Sequence, residues 1–120
     1  MEFFDYYEKL YGERWPGLLS ALRGEGRATK LQFGDNLEPY FLDEASVFAA
    51  EALGVEPGMD VLDMCAAPGG KTLVIASKLT GEGSLQSNDR SFDRRMRLNR
   101  VIEESLPESW RGIIKVTGYD

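Results

Sequence analysis

The feature that most constrains this chain is the segment from Asp60 to Thr72, which reads DVLDMCAAPGGKT. A short apolar run leads into small residues, a proline and two consecutive glycines, and a helical pattern follows directly. A strand that passes through a tight loop into a helix presents free backbone N–H groups and the positive end of the helix dipole to an anionic ligand group. The segment therefore predicts a strand–loop–helix unit that binds a ligand.

Strands and helices alternate around this unit. We predict strands over residues 59–64, 84–88 and 112–117, and helices over residues 3–11, 16–22, 43–54, 71–79 and 91–106. The glycine-containing stretch 24–38 reads as a loop. Alternation of this kind is typical of parallel strands joined by helical crossovers, so the predicted class is α/β: the N-terminal part of a doubly wound, Rossmann-like fold. We place a helical arm at residues 1–38 and the incomplete sheet domain at residues 39–120.

Helical spacing also predicts N-caps and buried side chains in two of these helices. For the helix that Asp43 caps, the candidates for burial are Ala45, Phe48, Ala49, Ala52 and Leu53. For the helix that Ser91 caps, they are Phe92, Met96, Val101 and Ile102.

Composition excludes several functional classes. The chain has 120 residues, a net charge of −6, one cysteine and no histidine. One cysteine cannot form an internal disulfide, and without histidine no zinc site is expected. No apolar run is long enough to span a membrane. The acidic, aromatic N-terminus is unlike a secretory signal, so a cytoplasmic protein is the default expectation.

Five arginines cluster near the start of the last long predicted helix: Arg90, Arg94, Arg95, Arg97 and Arg100. Such a cluster can contact a nucleic-acid backbone, but the net negative charge argues against this chain alone doing so. The simpler interpretation is a solvated helix face that is balanced by Glu103 and Glu104.

Acidic residues follow the three predicted strands. Asp63 ends the first strand, Asp89 follows the second and Asp120 follows the third. Because ligands of open α/β sheets bind at the carboxyl ends of the strands, these carboxylates are expected to share one site. Asp89 lies 19 residues after Gly70, close to the spacing of about 20 residues at which an acid binds a ribose diol. Asp120 is placed to accept a hydrogen bond from an adenine amine. The pattern predicts an adenosine ligand, which Gly69 and Gly70 would allow to approach the backbone closely.

Three interpretations of this site stay open. Gly70-Lys71-Thr72 matches the end of a P-loop, as in nucleotide hydrolases, although Cys65 replaces the first glycine of that motif and Pro68 stiffens a loop that must wrap phosphates. S-adenosylmethionine fits better, since it offers a carboxylate to the helix N-terminus, a ribose and an adenine to the later acids, and cationic groups to the first acid. A non-catalytic interaction module built on the aromatic arm is the third interpretation.

The loop and its flanking segments resemble one known family. Residues 62–72 are similar to the cofactor loop of the Nop/Sun (Fmu) RNA cytosine-5 methyltransferases. Asn88-Asp89 with the arginine-rich helix resembles the second motif of that family, residues 116–120 resemble the third, and residues 40–46 resemble its lead-in. Residues 4–16 and 106–108 are similar to the mitochondrial-type members that methylate ribosomal RNA.

This resemblance implies that the chain carries the S-adenosylmethionine-binding half of an RNA (cytosine-5) methyltransferase acting on ribosomal RNA. The implied cofactor-binding residues are Cys65, Ala66, Ala67, Pro68, Gly69, Gly70, Lys71, Asp89, Arg94 and Asp120. The family attacks cytosine with one cysteine and releases product with a second, in Asp-Ala-Pro-Cys-like and Thr-Cys-like motifs that this sequence lacks. No residue is therefore assigned a catalytic role, and Cys65 does not inherit that of the nucleophile.

A three-stranded parallel sheet would leave an apolar edge exposed, and both family cysteine motifs are missing, so we expect the chain to be truncated after the third motif and inactive alone. The expected partners are RNA, for the complete enzyme, and a protein that binds the N-terminal arm. Neither a membrane nor a metal is expected.

Overall fold

A three-stranded parallel sheet and the helices that connect its strands surround the predicted ligand loop. The computed structural model describes residues 2–120. Its helices are α1 (Phe3–Tyr11), α2 (Trp15–Arg23), α3 (Glu44–Glu51), α4 (Gly70–Leu79), α5 (Phe92–Ser105) and α6 (Glu108–Arg111). Its strands are β1 (Ala28–Leu31), β2 (Tyr40–Asp43), β3 (Asp60–Asp63), β4 (Ser84–Asn88) and β5 (Ile114–Thr117).

The parallel sheet has the strand order β3-β4-β5. Val61, Leu85 and Ile114 stand in one row across it. Helix α4 connects β3 to β4, and α5 with α6 connects β4 to β5, as the alternating pattern predicts. The α/β class is confirmed.

One apolar core joins α4, β4 and α5. Its largest fully buried side chains are Leu73, Leu79, Leu85, Leu98 and Leu106. Alternate residues of each strand point to the opposite face of the sheet. On that face Leu62 is 56% exposed, and Lys115 is exposed as well. Within residues 2–120 the sheet is therefore covered mainly on one face, while burial of the leucines holds the helices to it.

Both predicted N-caps are present. The Asp43 carboxylate accepts a hydrogen bond from the backbone N–H of Ser46 at 2.9 Å, and the Ser91 hydroxyl accepts one from the N–H of Arg94 at 3.4 Å. The Ser46 hydroxyl and backbone N–H both donate to the Asp43 carboxylate, which holds the pKa of Asp43 below its ordinary value. These caps fix where α3 and α5 begin.

Two predictions about local structure are wrong. The stretch 24–38 contains β1, which pairs antiparallel with β2, from Ala28 opposite Asp43 to Leu31 opposite Tyr40. A four-residue strand between glycine-containing segments is too short to stand out by periodicity. Helix α3 also ends at Glu51, before the predicted stop at Gly54. The division between arm and domain at residues 38 and 39 falls inside the β1–β2 connection and stays a prediction.

The predicted apolar face of α3 is wrong, because Ala45, Phe48, Ala49, Ala52 and Leu53 are all exposed, and that of α5 is partly wrong. Phe48, Leu53, Phe92 and Met96 are between 55% and 73% exposed. The residues that are buried instead are Ala50 in α3 and Leu98 in α5, whereas Ile102 is buried as predicted and Val101 is half-buried. Each helix carries more apolar side chains than one face can bury, so the pattern alone did not identify the side that meets the sheet.

The arm forms an aromatic cluster around Trp15, its only buried residue among those described. The Trp15 ring stacks on Tyr7 and Tyr11, with centroid distances of 5.7 and 6.3 Å. Phe3 packs on Tyr7 at 4.6 Å. The two short helices are present as the periodicity of residues 3–11 and the proline at residue 16 predict, and they pack mainly on each other through aromatic rings.

The difference between the two sheet faces generates a prediction about stability. Leu98→Ala removes a side chain that is fully buried between α5 and the sheet, so we expect a loss of about 3 kcal/mol in the free energy of unfolding. Leu62→Ala makes the same chemical change at an exposed position of the sheet and should cost less than about 1 kcal/mol. Urea denaturation followed by circular dichroism measures both. Equal losses would contradict the one-sided core.

Candidate functional site

Three chain segments meet beyond the carboxyl ends of the parallel strands and enclose a cavity of about 310 Å³. Its lining residues are Met64, Cys65, Asn88, Asp89, Arg90, Arg94, Tyr119 and Asp120. The structure thus brings together four of the predicted site residues: Cys65, Asp89, Arg94 and Asp120. The others, Ala66 to Lys71, form the loop behind the cavity and the start of α4.

The loop after β3 is held close to β4 and turns tightly into α4. The backbone N–H of Ala66 donates to the carbonyl of Asn88 at 2.9 Å, which ties the loop to the last residue of β4. Ala67 is buried, and the peptide bond between Ala67 and Pro68 is cis. Pro68 and Lys71 are exposed. Helix α4 begins at Gly70, so the N–H groups of its first turn have no partners within the helix, as the anion-binding prediction requires.

Packing behind the loop requires both glycines. Gly69 has φ of +125°, and a Cβ there would lie 3.0 Å from Val101 Cγ1 of α5. A Cβ on Gly70 would lie 2.6 Å from Leu42 Cδ1 and 3.1 Å from Tyr40 Cε1. Burial at this contact raises the pKa of Tyr40 above its ordinary value. Contact with β2 and α5 thus supplies a reason for the glycines other than the close ligand approach that the sequence suggested.

Asp89 is the most buried acid at the site, with only 6% of its side chain exposed. Its Oδ1 accepts the backbone N–H of Ser91 at 3.1 Å, and Oδ2 lies 3.3 Å from Nη2 of Arg94. The same Nη2 donates to the carbonyl of Ala67 at 2.7 Å. One guanidinium thus connects the acid after β4 to the loop after β3, and it places Arg94 within the predicted site.

Asp63 carries the one buried side-chain oxygen or nitrogen that lacks a hydrogen-bond partner among residues 2–120. Its Oδ1 accepts the backbone N–H of Cys65 at 3.1 Å, which is the local turn role of an aspartate. Oδ2 has no partner. A buried carboxylate oxygen without a donor is costly, so this atom suits a ligand that brings a positively charged donor.

Asp120 is exposed, unlike Asp89. Its Oδ1 lies 3.5 Å from Nε of Arg90, and both side chains are more than 80% exposed. The segment that carries Asp120 is nevertheless held in place, because the side chain of Asn88 hydrogen-bonds to both the N–H and the carbonyl of Tyr119. Sequence reasoning grouped Asn88 with the second motif and did not identify this contact. An asparagine directly before the acid was its only signal.

The arginine cluster divides into two groups. Arg94 and Arg95 turn towards the site, where Arg95 Nη1 donates to the carbonyls of Asp89 and Arg90 at 2.7 and 2.8 Å. Arg100 instead pairs with Glu104 at 3.0 Å on the exposed side of α5. The interpretation as a solvated, balanced helix face therefore describes the second group, while sequence reasoning missed the structural role of Arg95.

Residues 2–120 contain neither a metal-binding group of side chains nor a membrane-spanning helix. In this part of the chain, no three histidine, cysteine, aspartate or glutamate side chains are grouped so as to hold a metal ion. None of the described helices has the length and apolarity of a membrane span.

Residues 50–114 match the model of the family described as 16S rRNA methyltransferase RsmB/F. Among curated proteins, the 5-cytosine rRNA methyltransferase NSUN4 of Bos taurus is 42% identical over 87 residues. That alignment covers 70% of this chain and 22% of the relative. The chain spans about a fifth of the length of this and similar curated relatives.

Solved structures agree in fold. NSun6 from Pyrococcus horikoshii, determined with SFG, superposes with a TM-score of 0.60 at 27% identity, covering 72% of this chain and 21% of that one. A methyltransferase homolog protein from the same organism superposes with a TM-score of 0.69 at 18% identity, covering 97% of this chain and 51% of that one. The second likeness covers both the arm and the sheet.

The glycine geometry generates a prediction for this loop. Gly69→Ala forces a side chain into a backbone conformation that L residues rarely adopt and against Val101, so we expect a loss of about 2 kcal/mol in the free energy of unfolding. Gly112→Ala is the matched control, because Gly112 has an ordinary φ and no atom within 4 Å of its added Cβ. Thermal unfolding of the two variants compares them. An unchanged melting temperature for Gly69→Ala would show that the loop is not packed as described.

Proposed function

Because this chain belongs to the 16S rRNA methyltransferase RsmB/F family, we propose that it binds S-adenosylmethionine as the cofactor-binding half of an RNA (cytosine-5) methyltransferase. The observation that carries the proposal is the convergence of the β3 loop, Asp89 and the segment 118–120 on one cavity. The NSun6 neighbour, determined with SFG, supports a ligand at a site of this kind.

The residues present fit this cofactor. Asp89 is buried and oriented, and a carboxylate can accept both hydroxyls of a ribose. The exposed Asp120 can accept a hydrogen bond from the adenine amine. The first turn of α4, with Gly70 and Lys71, offers backbone N–H groups and a positive dipole to the carboxylate. The ribose, the adenine amine and the carboxylate of the ligand therefore each have a counterpart at the site.

The unpartnered Oδ2 of Asp63 supports the same ligand. The methionine part of the cofactor carries an ammonium group, which is the kind of donor that this oxygen lacks. Asp63 is not itself a lining residue of the cavity, but Cys65, whose backbone N–H donates to Asp63 Oδ1, is one. When bound, the cofactor supplies an electrophilic methyl group. The residues described here hold and orient it.

We propose that residues 2–120 bind the cofactor without transferring the methyl group. The nucleophile of the family is a cysteine thiolate in a motif that this sequence lacks, and the single cysteine, Cys65, lies in the cofactor loop. RNA, and ribosomal RNA in particular, is the substrate that the relatives' names support. Labelled methyl transfer from S-adenosylmethionine to ribosomal RNA tests this with a longer protein that adds both family cysteine motifs. Absence of transfer by that protein would count against the assignment.

The arm supports a second, non-catalytic role as a protein-binding element. Phe3, Tyr7, Tyr11, Trp15, Leu18 and Leu22 line an apolar groove of about 390 Å³ on it. The radius of gyration is 17.4 Å, above the value of about 14 Å that a compact domain of this length has. We propose that an apolar helix of a partner protein occupies this groove. A partner protein captured with the chain is purified and mixed with the purified chain. It should bind the unchanged chain and fail to bind the Leu22→Glu variant. Undiminished binding would exclude the groove.

The cytoplasm is the compartment that we propose from the single cysteine and the N-terminal composition. The similarity to mitochondrial-type members makes the mitochondrion the alternative. A fluorescent fusion at the C-terminus of the chain distinguishes the two compartments in cells. Co-localisation with a mitochondrial marker would overturn the cytoplasmic proposal.

Ligand preference provides the most direct test of the cofactor. In calorimetry, we expect the chain to bind S-adenosylhomocysteine in preference to ATP with magnesium. Asp89→Asn removes the charge that would hold the ribose and should weaken this binding roughly 30-fold. Asp93→Asn, an equivalent change at an exposed position of α5, is the control and should bind as the unchanged chain does. A preference for ATP would instead favour the P-loop interpretation.

A further inference from the structure

Asn88 contacts the ends of all three parallel strands through one side-chain amide. Its Oδ1 accepts the Thr117 hydroxyl at 2.9 Å and the backbone N–H of Tyr119 at 2.8 Å. Its Nδ2 donates to the carbonyl of Tyr119 at 3.1 Å and, more weakly, to that of Met64 at 3.5 Å. Asn88 itself ends β4, Thr117 ends β5, and Met64 directly follows β3.

The orientation of this amide is determined by its partners. The N–H of Tyr119 can only donate, so the atom that meets it must be the amide oxygen. The other amide atom faces two carbonyls, which can only accept. All four contacts therefore agree on one orientation of Asn88. Aspartate could accept the two donors but could not donate to either carbonyl, and alanine could do neither.

The hydrogen bonds of Asn88 also affect the position of Asp120. Asp120 is exposed, and its recorded ion pair is with Arg90, whose side chain is exposed as well. That pair cannot hold the segment rigidly, because exposed ion pairs contribute little. Asn88 instead pins both polar backbone groups of Tyr119, the residue directly before Asp120. The position of the Asp120 carboxylate relative to Asp89 therefore depends on this amide.

We propose that Asn88 is a positioning residue that sets the preference of the site for adenine, by holding Tyr119 and Asp120 at the distance where Asp120 accepts the adenine amine. This inference rests on the proposed function. It assigns Asn88 no contact with the reacting atoms. Ribose binding by Asp89 should depend on Asn88 much less, because Asp89 is oriented by Ser91 and Arg94.

The test has a ligand-free part and a ligand-binding part. In the free chain, hydrogen exchange measured by NMR should show the Tyr119 amide protected. Asn88→Ala should raise its exchange rate about tenfold, and Asn88→Asp should restore protection, because a carboxylate accepts the same N–H. Asn99→Ala, an exposed asparagine of α5, is the control and should leave Tyr119 unchanged. If the Tyr119 amide stays protected in Asn88→Ala, the inference that the Asn88 side chain holds Tyr119 is overturned.

The ligand-binding part compares S-adenosylhomocysteine with S-inosylhomocysteine, in which a carbonyl replaces the adenine amine. We expect the unchanged chain to prefer the adenine ligand about tenfold and Asn88→Ala to lose most of that preference. A merely structural role would weaken both ligands by one factor and keep their ratio, which would overturn the specificity role. If the unchanged chain binds neither ligand, the proposed function fails and the specificity role fails with it. The hydrogen-exchange data still test whether Asn88 holds Tyr119 in place.

Discussion

The site depends on one guanidinium that joins two segments which the chain order separates. Arg94 Nη2 lies 2.7 Å from the carbonyl of Ala67 and 3.3 Å from Oδ2 of Asp89. A carboxylate with only 6% of its surface exposed needs such compensation, because burial removes its hydration. Arg94 can provide it because the Ser91 cap starts α5 directly after Asp89. The cap of α5, the position of the loop and the orientation of Asp89 therefore depend on one another through Arg94.

The core explains why this arrangement is stable behind the cavity. Leu98 lies one helical turn after Arg94 and is fully buried, and with Val101 it also packs where a side chain on Gly69 would stand. The side of α5 that enters the core therefore fixes the rotation of the helix. Since that rotation decides which arginines reach the loop, the packing of leucine selects Arg94 and Arg95 for the site and leaves Arg100 with Glu104.

Much of this could be predicted from sequence, and the failures have physical causes. The three parallel strands, the caps at Asp43 and Ser91 and the convergence of strand ends follow from local pattern and from the topology of parallel sheets. The exposure of Phe48 and Phe92 could not be predicted from the pattern, because an apolar residue is buried only where another element covers it. The hydrogen bonds from the Asn88 side chain to the backbone of Tyr119 could not be predicted either. They depend on backbone groups of Tyr119, which lies 31 residues away.

Charge at the ends of the three parallel strands distinguishes between the ligands that the loop alone leaves open. Asp63, Asp89 and Asp120 lie at the ends of the three strands, and only the last two have an arginine partner. A triphosphate would bring several negative charges next to a carboxylate oxygen that has no donor, whereas a ligand with ammonium and sulfonium groups would bring that oxygen an opposite charge.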